Sequence, residues 1–338
     1  MNFPKVAVVI LNWNGKKYLE KFLPSVMSST YPNLEIVLGD NASTDESVIF
    51  VKEHYPSIRI VSTFKNLGFA GGYNHVLTLV NADYYVLLNS DVEVAANWIE
   101  PVIDLMESDP MIAAAQPKIL SYKDKSQFEY AGAAGGFLDR YGYAFCRGRI
   151  FDAMEKDQGQ YNQASEIFWA SGAAFFIKKP IWDLSGGLDH HFFAHMEEID
   201  LCWRLKNKGY KIMYCPQGRV YHVGGGSLSA ESPYKTYLNF RNNLVMLQKN
   251  LSPGKSFRII FIRFWLDLLS IIKYLMQGSP QNALAVSKAH FYFFGNLNRN
   301  RKNINHNKDT FNPAGLYRRS IVWQYFVKGI KRFSKLNF

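Results

Sequence analysis

Three acidic residues lie within four positions of the sequence, at Glu197, Glu198 and Asp200. Carboxylates this close together, beside apolar residues, repel one another, so the pKa of at least one should rise. A carboxylate with a raised pKa can act as a general base that takes a proton from a hydroxyl group. The same residues could instead stabilise the N-terminus of a helix, with Asp200 paired to Arg204 one turn later. The spacing alone leaves both interpretations open.

Another polar cluster follows a short apolar segment that is typical of a strand. Asp40 ends that segment and leads into Ser43, Thr44 and Asp45. The Asp40 carboxylate can accept the N3–H of a pyrimidine base while one of the following residues caps a helix. The whole run could equally be only a turn and a cap.

Asp91 completes the sequence Asn89-Ser90-Asp91 after an apolar run. Divalent cations such as Mg²⁺ and Mn²⁺ prefer oxygen ligands and often take only one or two from the protein. Asp91 is therefore a candidate metal ligand, although a lone Asp after a strand is commonly a turn residue. His222, just before the glycine-rich segment 224–227, could complete the metal shell, and the backbone N–H groups of that segment could approach phosphate.

Apolar, β-branched segments alternate with segments of helical spacing in the first part of the chain. The predicted strands are 5–11, 35–39, 58–62 and 84–88, and the predicted helices are 16–29, one from about 45, and 70–80. This alternation predicts a doubly wound α/β sheet. Ligands bind such sheets beyond the carboxyl ends of the strands, where Asn12, Asp40 and Asn89 fall. We expect the more mixed region 112–230 to pack on the same sheet.

Positive charge is concentrated towards the C-terminus. The chain has 338 residues and a formal net charge of +11 at pH 7. From Lys255 onward there are 15 Lys or Arg against two Asp, so this region carries +13 and the rest of the chain −2. Because these cations are mixed with Phe, Trp, Ile and Leu, they indicate attraction of residues 255–338 to an anionic membrane surface rather than to nucleic acid.

The segment 257–276 is a strongly apolar predicted helix. Charges at the centre of a bilayer are costly, and four charged residues interrupt this segment. They are Arg258, Arg263, Asp267 and Lys273. At about 100° per residue, all four fall within one half of the helix surface. We therefore expect an amphipathic helix in the plane of a membrane interface rather than a span. A helix packed on the rest of the protein is the alternative.

The N-terminus and the cysteines indicate the cellular compartment of the protein. The first residues enter a strand-like run without the pattern of a signal peptide. Cys146, Cys202 and Cys215 have no C-x-x-C spacing, which favours a reducing compartment over a disulfide framework. Together with the basic C-terminal region, these features predict a cytoplasmic protein on the inner face of the cell membrane.

Six motifs follow one another along residues 5–250: VVILNWNG, GDNASTD, NLGFAGGYN, LLNSD, FFAHMEEIDLCWR and VYHVGGGS. In this order they resemble family 2 glycosyltransferases with the GT-A fold, and in particular the rhamnosyltransferase-like branch that builds bacterial surface polysaccharides. The resemblance implies a Rossmann-like, mostly parallel α/β sheet flanked by helices. It implies a catalytic domain at 1–250, with a nucleotide-sugar half at 1–111 and an acceptor half at 112–250. A basic, helical C-terminal region would occupy 251–338.

The resemblance also implies which residues bind the nucleotide. Asp40 would contact a uracil or thymine ring, and Asn12 would line the nucleotide site. Asn66 and Gly68, in the motif NLGFAGGYN, would belong to the same site, as would Asn89.

The metal and the base follow from the same resemblance. Asp91 would hold Mg²⁺ or Mn²⁺, in an element whose first acidic position is an Asn in this chain, and His222 resembles a further metal ligand. The acidic pair of the family falls on Glu197 and Glu198. Glu198, where the family usually has Asp, would be the catalytic base, and Asp200 is the second candidate.

The resemblance predicts an inverting, metal-dependent glycosyltransferase. Its donor would be a UDP- or dTDP-sugar, with dTDP-rhamnose as one candidate, and its acceptor a hydroxyl of a glycan or lipid-linked glycan. Two alternatives stay open: a nucleotidyltransferase that releases pyrophosphate, and a catalytically degenerate, membrane-peripheral protein that only binds nucleotides. A dinucleotide-binding dehydrogenase and a P-loop nucleotidase do not fit, because the glycine spacings that they need are absent.

Overall fold

The computed structural model describes residues 3–224, 232–300 and 311–338. The first part of the chain alternates strands and helices, because its continuous apolar runs form strands buried on both faces. The elements are β1 (Val6–Asn12), α1 (Lys16–Met27), β2 (Leu34–Asp40), α2 (Ser47–His54), β3 (Arg59–Ser62), α3 (Gly68–Leu77), β4 (Tyr84–Asn89), β5 (Val92–Val94) and α4 (Glu100–Glu107). The predicted α/β alternation is confirmed.

The next part of the chain adds strands to the same sheet. Its elements are β6 (Ile112–Ser121), β7 (Gly136–Asp139), β8 (Ala144–Cys146), β9 (Arg149–Ile150), β10 (Ala153–Met154), β11 (Ser165–Ile167), β12 (Ala174–Lys178), α5 (Lys179–Ser185), α6 (Glu197–Asn207) and β13 (Lys211–His222). The main sheet has nine strands in the order β11-β13-β6-β12-β4-β1-β2-β3, with β5 beside β13. Strands β3, β2, β1 and β4 are parallel, whereas β12 is antiparallel to both β4 and β6.

The register of the parallel strands brings polar residues to one edge of the sheet. Asn12 lies opposite Asp40 on β2, and the preceding residue of β1 lies opposite Asn89 on β4. At the end of β13, His222 pairs with the first residue of β5, directly after Asp91. All five residues therefore lie where ligands bind in open α/β sheets.

The C-terminal region is mainly helical but returns to the body of the protein. Its elements are α7 (Pro233–Asn250), α8 (Pro253–Met276), α9 (Pro280–Gly295), α10 (Leu297–Asn300), β14 (Leu316–Tyr317), a π-helical turn at Trp323–Val327 and a 3₁₀ turn at Phe333–Lys335. A second sheet has the order β10-β9-β8-β7-β14, so the last strand pairs with β7 of the preceding region. The predicted helical extension is confirmed.

Helix α8 packs on the protein with part of its charged half. Arg263 and Asp267 are 2% and 0% exposed, and Arg263 Nη2 lies 3.3 Å from Asp267 Oδ1. Tyr143 Oη donates to Asp267 Oδ1 at 3.1 Å, and His290 Nε2 lies 3.0 Å from Oδ2. These contacts compensate the buried charges. Among the described residues, no helix is long and apolar enough to cross a membrane.

Candidate active site

Asn12 and Asp40 form a buried polar corner at the ends of β1 and β2. Asn12 Nδ2 donates to Ser43 Oγ at 3.1 Å, and the Ser43 backbone N–H donates to Asp40 Oδ2 at 3.3 Å. Asn12 Oδ1 and Asp40 Oδ1 are buried and have no hydrogen-bond partner among the described residues. Buried polar atoms normally have partners. These two oxygens are therefore acceptors that a bound N–H donor would satisfy.

Asn41, which the sequence did not single out, ties this corner to α3. Its Nδ2 donates to Asn66 Oδ1 at 3.1 Å and to the Gly68 carbonyl oxygen at 3.0 Å, and its Oδ1 accepts from Leu67 N at 3.0 Å. Gly68 has φ of +72°, and a Cβ there would lie 2.6 Å from the Phe193 carbonyl oxygen. Asn66 and Gly68 thus shape the turn that lies between the ends of β1 and β2 and the loop that contains Phe193.

Asp91 and His222 lie together between β5 and β13. His222 Nε2 is 3.1 Å from Asp91 Oδ1 and 3.4 Å from Asn89 Nδ2. Asp91 is 6% exposed and His222 is 5% exposed. Burial alone would lower the pKa of His222, but the carboxylates of Asp91 and Glu129 raise it to about 10. Two carboxylates thus converge on one buried imidazole, an environment that favours positive charge.

Glu129 is a site residue that sequence reasoning missed. Its side chain is on the segment after β6, is 5% exposed, and has Oε2 3.3 Å from His222 Nδ1. Its carboxylate also accepts the Ala131 backbone N–H. A Cβ on Gly224 would lie 2.7 Å from Glu129 Oε1, so the chain closes tightly over it. Of the glycine-rich segment 224–227, whose backbone could approach phosphate, residues 225–227 lie outside the described residues.

Asn12 lies between the Asp40 corner and the Asn89–Asp91 turn. A Cβ on Gly15 would lie 2.3 Å from Asn12 Oδ1 and 3.5 Å from Ser90 Oγ. The candidate nucleotide residues and the candidate metal residues therefore belong to one continuous edge of the sheet.

The acidic pair at the start of α6 consists of Glu197, which is buried, and Glu198, which is half-buried. Glu197 is 3% exposed, and Oε2 of both Glu197 and Glu198 has no hydrogen-bond partner among the described residues. Burial raises the pKa of Glu198. Burial and the neighbouring Glu198 carboxylate together raise the pKa of Glu197 well above its ordinary value. A raised pKa makes a carboxylate a stronger base than an exposed one, as proton transfer requires.

Glu198 lies beside the segment that leads into β12. Its Oε1 lies 3.8 Å from the position of a Cβ on Gly172, and the next residue, Ala173, accepts the Asn89 backbone N–H at 3.1 Å. Asn89 in turn contacts His222. Glu198 is therefore near the segment whose backbone accepts a hydrogen bond from Asn89, one of the candidate site residues.

The loop before α6 has a strained backbone and is held in place by hydrogen bonds from helix α7. Phe193, His195 and Met196 have φ of 64°, 71° and 73°, and each such non-glycine residue costs about 1–3 kcal/mol. Asn242 Nδ2, on α7, lies 2.7–3.0 Å from three carbonyl oxygens of the 190–196 loop. Helix α7 therefore fixes the backbone that leads into Glu197 and Glu198.

We expect Asn242→Ala to lower kcat about tenfold or more, since about 1.4 kcal/mol of lost positioning has that effect. Gln248→Ala is the matched control, because Gln248 is also a buried residue of α7 and donates instead to the Leu297 carbonyl oxygen. Both variants should lose stability in urea denaturation, but only Asn242→Ala should lose kcat with the donor-induced thermal shift retained. Equal kcat losses in the two variants would show that the loop clamp has no separate role.

Asp200, the second candidate base, is fully buried in ion pairs. Its Oδ2 accepts from Arg204 Nε at 2.8 Å and from Lys249 Nζ at 3.0 Å, and its Oδ1 accepts from Asn250 Nδ2 at 2.8 Å. Burial opposes ionisation, but Lys249 and Arg204 lower the pKa of Asp200. With both oxygens occupied, the geometry favours the structural pair with Arg204 over a role as base.

A separate group of possible metal ligands comprises Asp189, His190 and His191. Asp189 Oδ2 is 2.7 Å from Lys249 Nζ, and Asp189 Oδ1 is 3.0 Å from His191 Nδ1. A lysine ammonium already neutralises this carboxylate. We therefore interpret this group as a structural ion pair beside Asp200.

Solved structures of similar shape define the fold. GalNAc-T7, solved with UDP, GalNAc and Mn²⁺, has a TM-score of 0.56 at 18% identity, over 73% of this chain and 48% of that chain. A Pyrobaculum calidifontis mannosyltransferase, solved with GDP-Man and Mn²⁺, has a TM-score of 0.53 at 15% identity, over 86% of this chain and 76% of that chain. The fold is that of the GT-A glycosyltransferases, as predicted.

The sequence comparison identifies the family. The model described as "Glycosyl transferase family 2" matches residues 7–181, and the chain belongs to this family. It is similar to an N-acetylglucosaminyl-diphospho-decaprenol L-rhamnosyltransferase of Mycobacterium tuberculosis, at 25% identity over 64% of this chain and 75% of the relative. It is also similar to a low-salt glycan biosynthesis hexosyltransferase of Haloferax volcanii, at 21% identity over 71% of this chain and 74% of the relative. The protein is a glycosyltransferase.

Proposed function

We propose that this glycosyltransferase moves a sugar, with inversion at the anomeric carbon, from a UDP- or dTDP-sugar to a hydroxyl group. The observation that carries the proposal is the Glu197–Glu198 pair, in which one carboxylate oxygen of each residue is buried without a partner among the described residues and both pKa values are raised. A nucleotide site alone would not need such a pair.

The nucleotide base would bind at the corner formed by Asn12 and Asp40. The free Oδ1 of Asp40 can accept the N3–H that uracil and thymine share, so the corner fits UDP and dTDP equally. Asn66, Gly68 and Asn89 would shape the walls of the same site. The similarity to a rhamnosyltransferase makes dTDP-rhamnose the first donor to test.

Asp91 and His222 would hold a divalent cation, with Asn89 beside them. A carboxylate oxygen and an imidazole nitrogen 3.1 Å apart fit a small cation, and the mixed donor set favours Mn²⁺ over Mg²⁺. Such a cation supplies stabilisation of the charge that develops on a leaving diphosphate. Glu129 would orient the His222 ring by accepting Nδ1–H, as carboxylates behind metal-binding histidines do.

Glu198 would act as the base. Its carboxylate takes the proton of the acceptor hydroxyl, whose oxygen forms a bond to the anomeric carbon as the bond to the diphosphate oxygen breaks on the opposite face. The nucleoside diphosphate leaves with the electron pair, and the configuration inverts. Burial would raise the basicity of the Glu198 carboxylate, and Glu197 would share its partly desolvated environment.

The acceptor would be a glycan or a lipid-linked glycan, and transfer would occur at the cytoplasmic face of a membrane during cell-surface polysaccharide synthesis. Two observations support this part of the proposal. The mycobacterial relative is named for a diphospho-decaprenol substrate, and the region from Lys255 onward is strongly basic.

A thermal-shift panel of sugar nucleotides with and without Mn²⁺ tests the proposal, because a ligand that binds the native state raises Tm. UDP- or dTDP-sugars should raise Tm more in Mn²⁺ than without it, and Asp40→Ala should remove the difference between pyrimidine and purine donors. Stabilisation by every nucleotide alike would refute the assignment of Asp40.

Analysis of the reaction products separates the two alternatives. Release of pyrophosphate, instead of a nucleoside diphosphate, would identify a nucleotidyltransferase, and binding without turnover would identify a degenerate protein.

A further inference from the structure

Helices α8 and α9 turn large apolar side chains towards solvent. These residues are 38–84% exposed. They are Phe257, Phe261, Phe264, Trp265, Leu268, Leu269, Ile272, Leu275 and Met276 on α8, and Leu284, Phe291 and Phe294 on α9. Monomeric proteins rarely expose a contiguous apolar patch of this kind, and larger patches mark interaction sites. We call this surface the α8–α9 face.

The α8–α9 face is continuous. The ring centroids of Phe264 and Trp265 are 5.5 Å apart, and His290 bridges Phe264 at 5.7 Å to Phe294 at 6.3 Å. At the far end of α8, Lys273 Nζ lies 5.4 Å from the ring of Phe326. The turn at Trp323–Val327, with three exposed apolar residues, thus extends the face.

The orientation of α8 is the reverse of that expected for a helix on a water-soluble surface. Its ion pair Arg263–Asp267 is buried against Tyr143 and His290, while its widest apolar stripe faces outward. Folding therefore fixes the apolar stripe on the outside through buried polar contacts. Contact with an apolar phase, such as the lipid of a membrane, would remove this exposed stripe from water.

The charges around the α8–α9 face indicate which kind of partner it binds. Between residues 253 and 300 the sequence has one acidic residue, Asp267, which is buried. Lys255, Arg258, Lys273 and Lys288 are exposed. A second copy of the chain would bring like charges together, whereas an anionic lipid surface would pair with them.

We infer that the α8–α9 face seats the protein in the interfacial layer of a membrane that contains anionic lipids, with both helices parallel to the membrane plane. Helix α7 links this face to the catalytic loop: the rings of Tyr237 on α7 and Tyr292 on α9 are 6.4 Å apart, and Asn242 holds the 190–196 loop. The inference rests on the proposed function in one respect, since it explains how a lipid-linked acceptor would reach the site.

Co-sedimentation of the full-length protein with vesicles tests this inference. The wild type should bind phosphatidylcholine vesicles that contain phosphatidylglycerol, bind pure phosphatidylcholine at least tenfold more weakly, and dissociate as salt is raised. The double variant Phe261→Asp/Trp265→Asp should lose binding at least tenfold. Ile49→Asp, a matched change of a 57%-exposed residue on α2, should bind like the wild type. Circular dichroism and Tm should show that each variant folds.

Binding that is equal in the wild type and the double variant would overturn the inference. So would a wild type that ignores vesicles and instead forms a dimer in sedimentation velocity that the double variant abolishes, because the partner would then be a second copy. Transfer to a short water-soluble acceptor separates this test from the proposed function. That activity should survive in the double variant, and its absence from a wild type that binds vesicles would refute the proposed function and leave the membrane face standing.

Discussion

Glu198→Gln should lower kcat about 10²–10⁴-fold, the usual contribution of a general base. The amide keeps the size of the side chain but cannot take a proton from the acceptor. Donor binding should stay nearly intact, because the Asp40 corner and the Asp91 site are unchanged. The measurement is steady-state transfer together with the donor-induced shift in Tm.

The comparison with Asp200→Asn makes this prediction specific. Asp200 sits in ion pairs with Arg204 and Lys249, so its loss should appear mainly as a lower free energy of unfolding. If Glu198→Gln kept wild-type turnover and a folded Asp200→Asn lost it, the base would be Asp200.

The pH profile gives an independent check on Glu198. A base works in its ionised form, and burial raises the pKa of Glu198 above its ordinary value of 4.5. Activity should therefore fall as the pH drops through that raised pKa, at a pH higher than 4.5. The acidic limb should disappear from the residual activity of Glu198→Gln. An acidic limb retained in the variant would belong to another group.

Asp91→Asn should abolish the dependence of donor binding on Mn²⁺. The substitution removes the charged ligand while the backbone contact between Val223 N and the carbonyl oxygen of residue 91 can remain. Glu129→Gln should have a smaller effect, about 10–100-fold in Mn²⁺ affinity, because the side chain acts through His222. Calorimetric titration of Mn²⁺ in the presence of UDP measures both affinities without turnover.

A matched control for Glu129→Gln is Glu155→Gln. Glu155 also accepts a hydrogen bond from a neighbouring side chain, Tyr161, but does not contact His222. The Glu155→Gln substitution should leave Mn²⁺ affinity unchanged. Unaltered Mn²⁺ affinity in Asp91→Asn would refute the metal assignment altogether.

The order of strands and helices in the first part of the chain could be predicted from the sequence because periodicity is local. The run at 5–11 is apolar throughout, as a strand covered on both faces must be, and it appears as Val6–Asn12. The second sheet was not foreseen. Its strands are two to four residues long in β7–β10, too short for a periodic signal, and its last strand comes from the far end of the chain.

The position of the residues at the sheet edge was predictable where a motif coincides with a strand end. Asn12, Asp40 and Asp91 follow apolar runs, so their position at the sheet edge follows from topology. Glu129 follows no strand pattern, and only the pairing of β6 with β13 brings it to His222. Periodicity cannot reveal such a long-range contact.

Helix α8 shows another limit of sequence patterns. Spacing divided its surface into a charged half and an apolar half, but it could not show which half faces the protein. Charged side chains normally face water, because a buried charge needs partners. Here Tyr143 and His290, distant in sequence, supply them to Asp267.

A crystal structure of the protein with Mn²⁺ and a non-hydrolysable UDP- or dTDP-sugar would test the central claim most directly. The pyrimidine N3 should lie within hydrogen-bonding distance of Asp40, the diphosphate beside Asp91 and His222, and the anomeric carbon on the side of Glu198. A nucleotide bound away from Asp40, or a sugar screened from Glu198 by the strands, would contradict a single crevice that joins donor, cation and base.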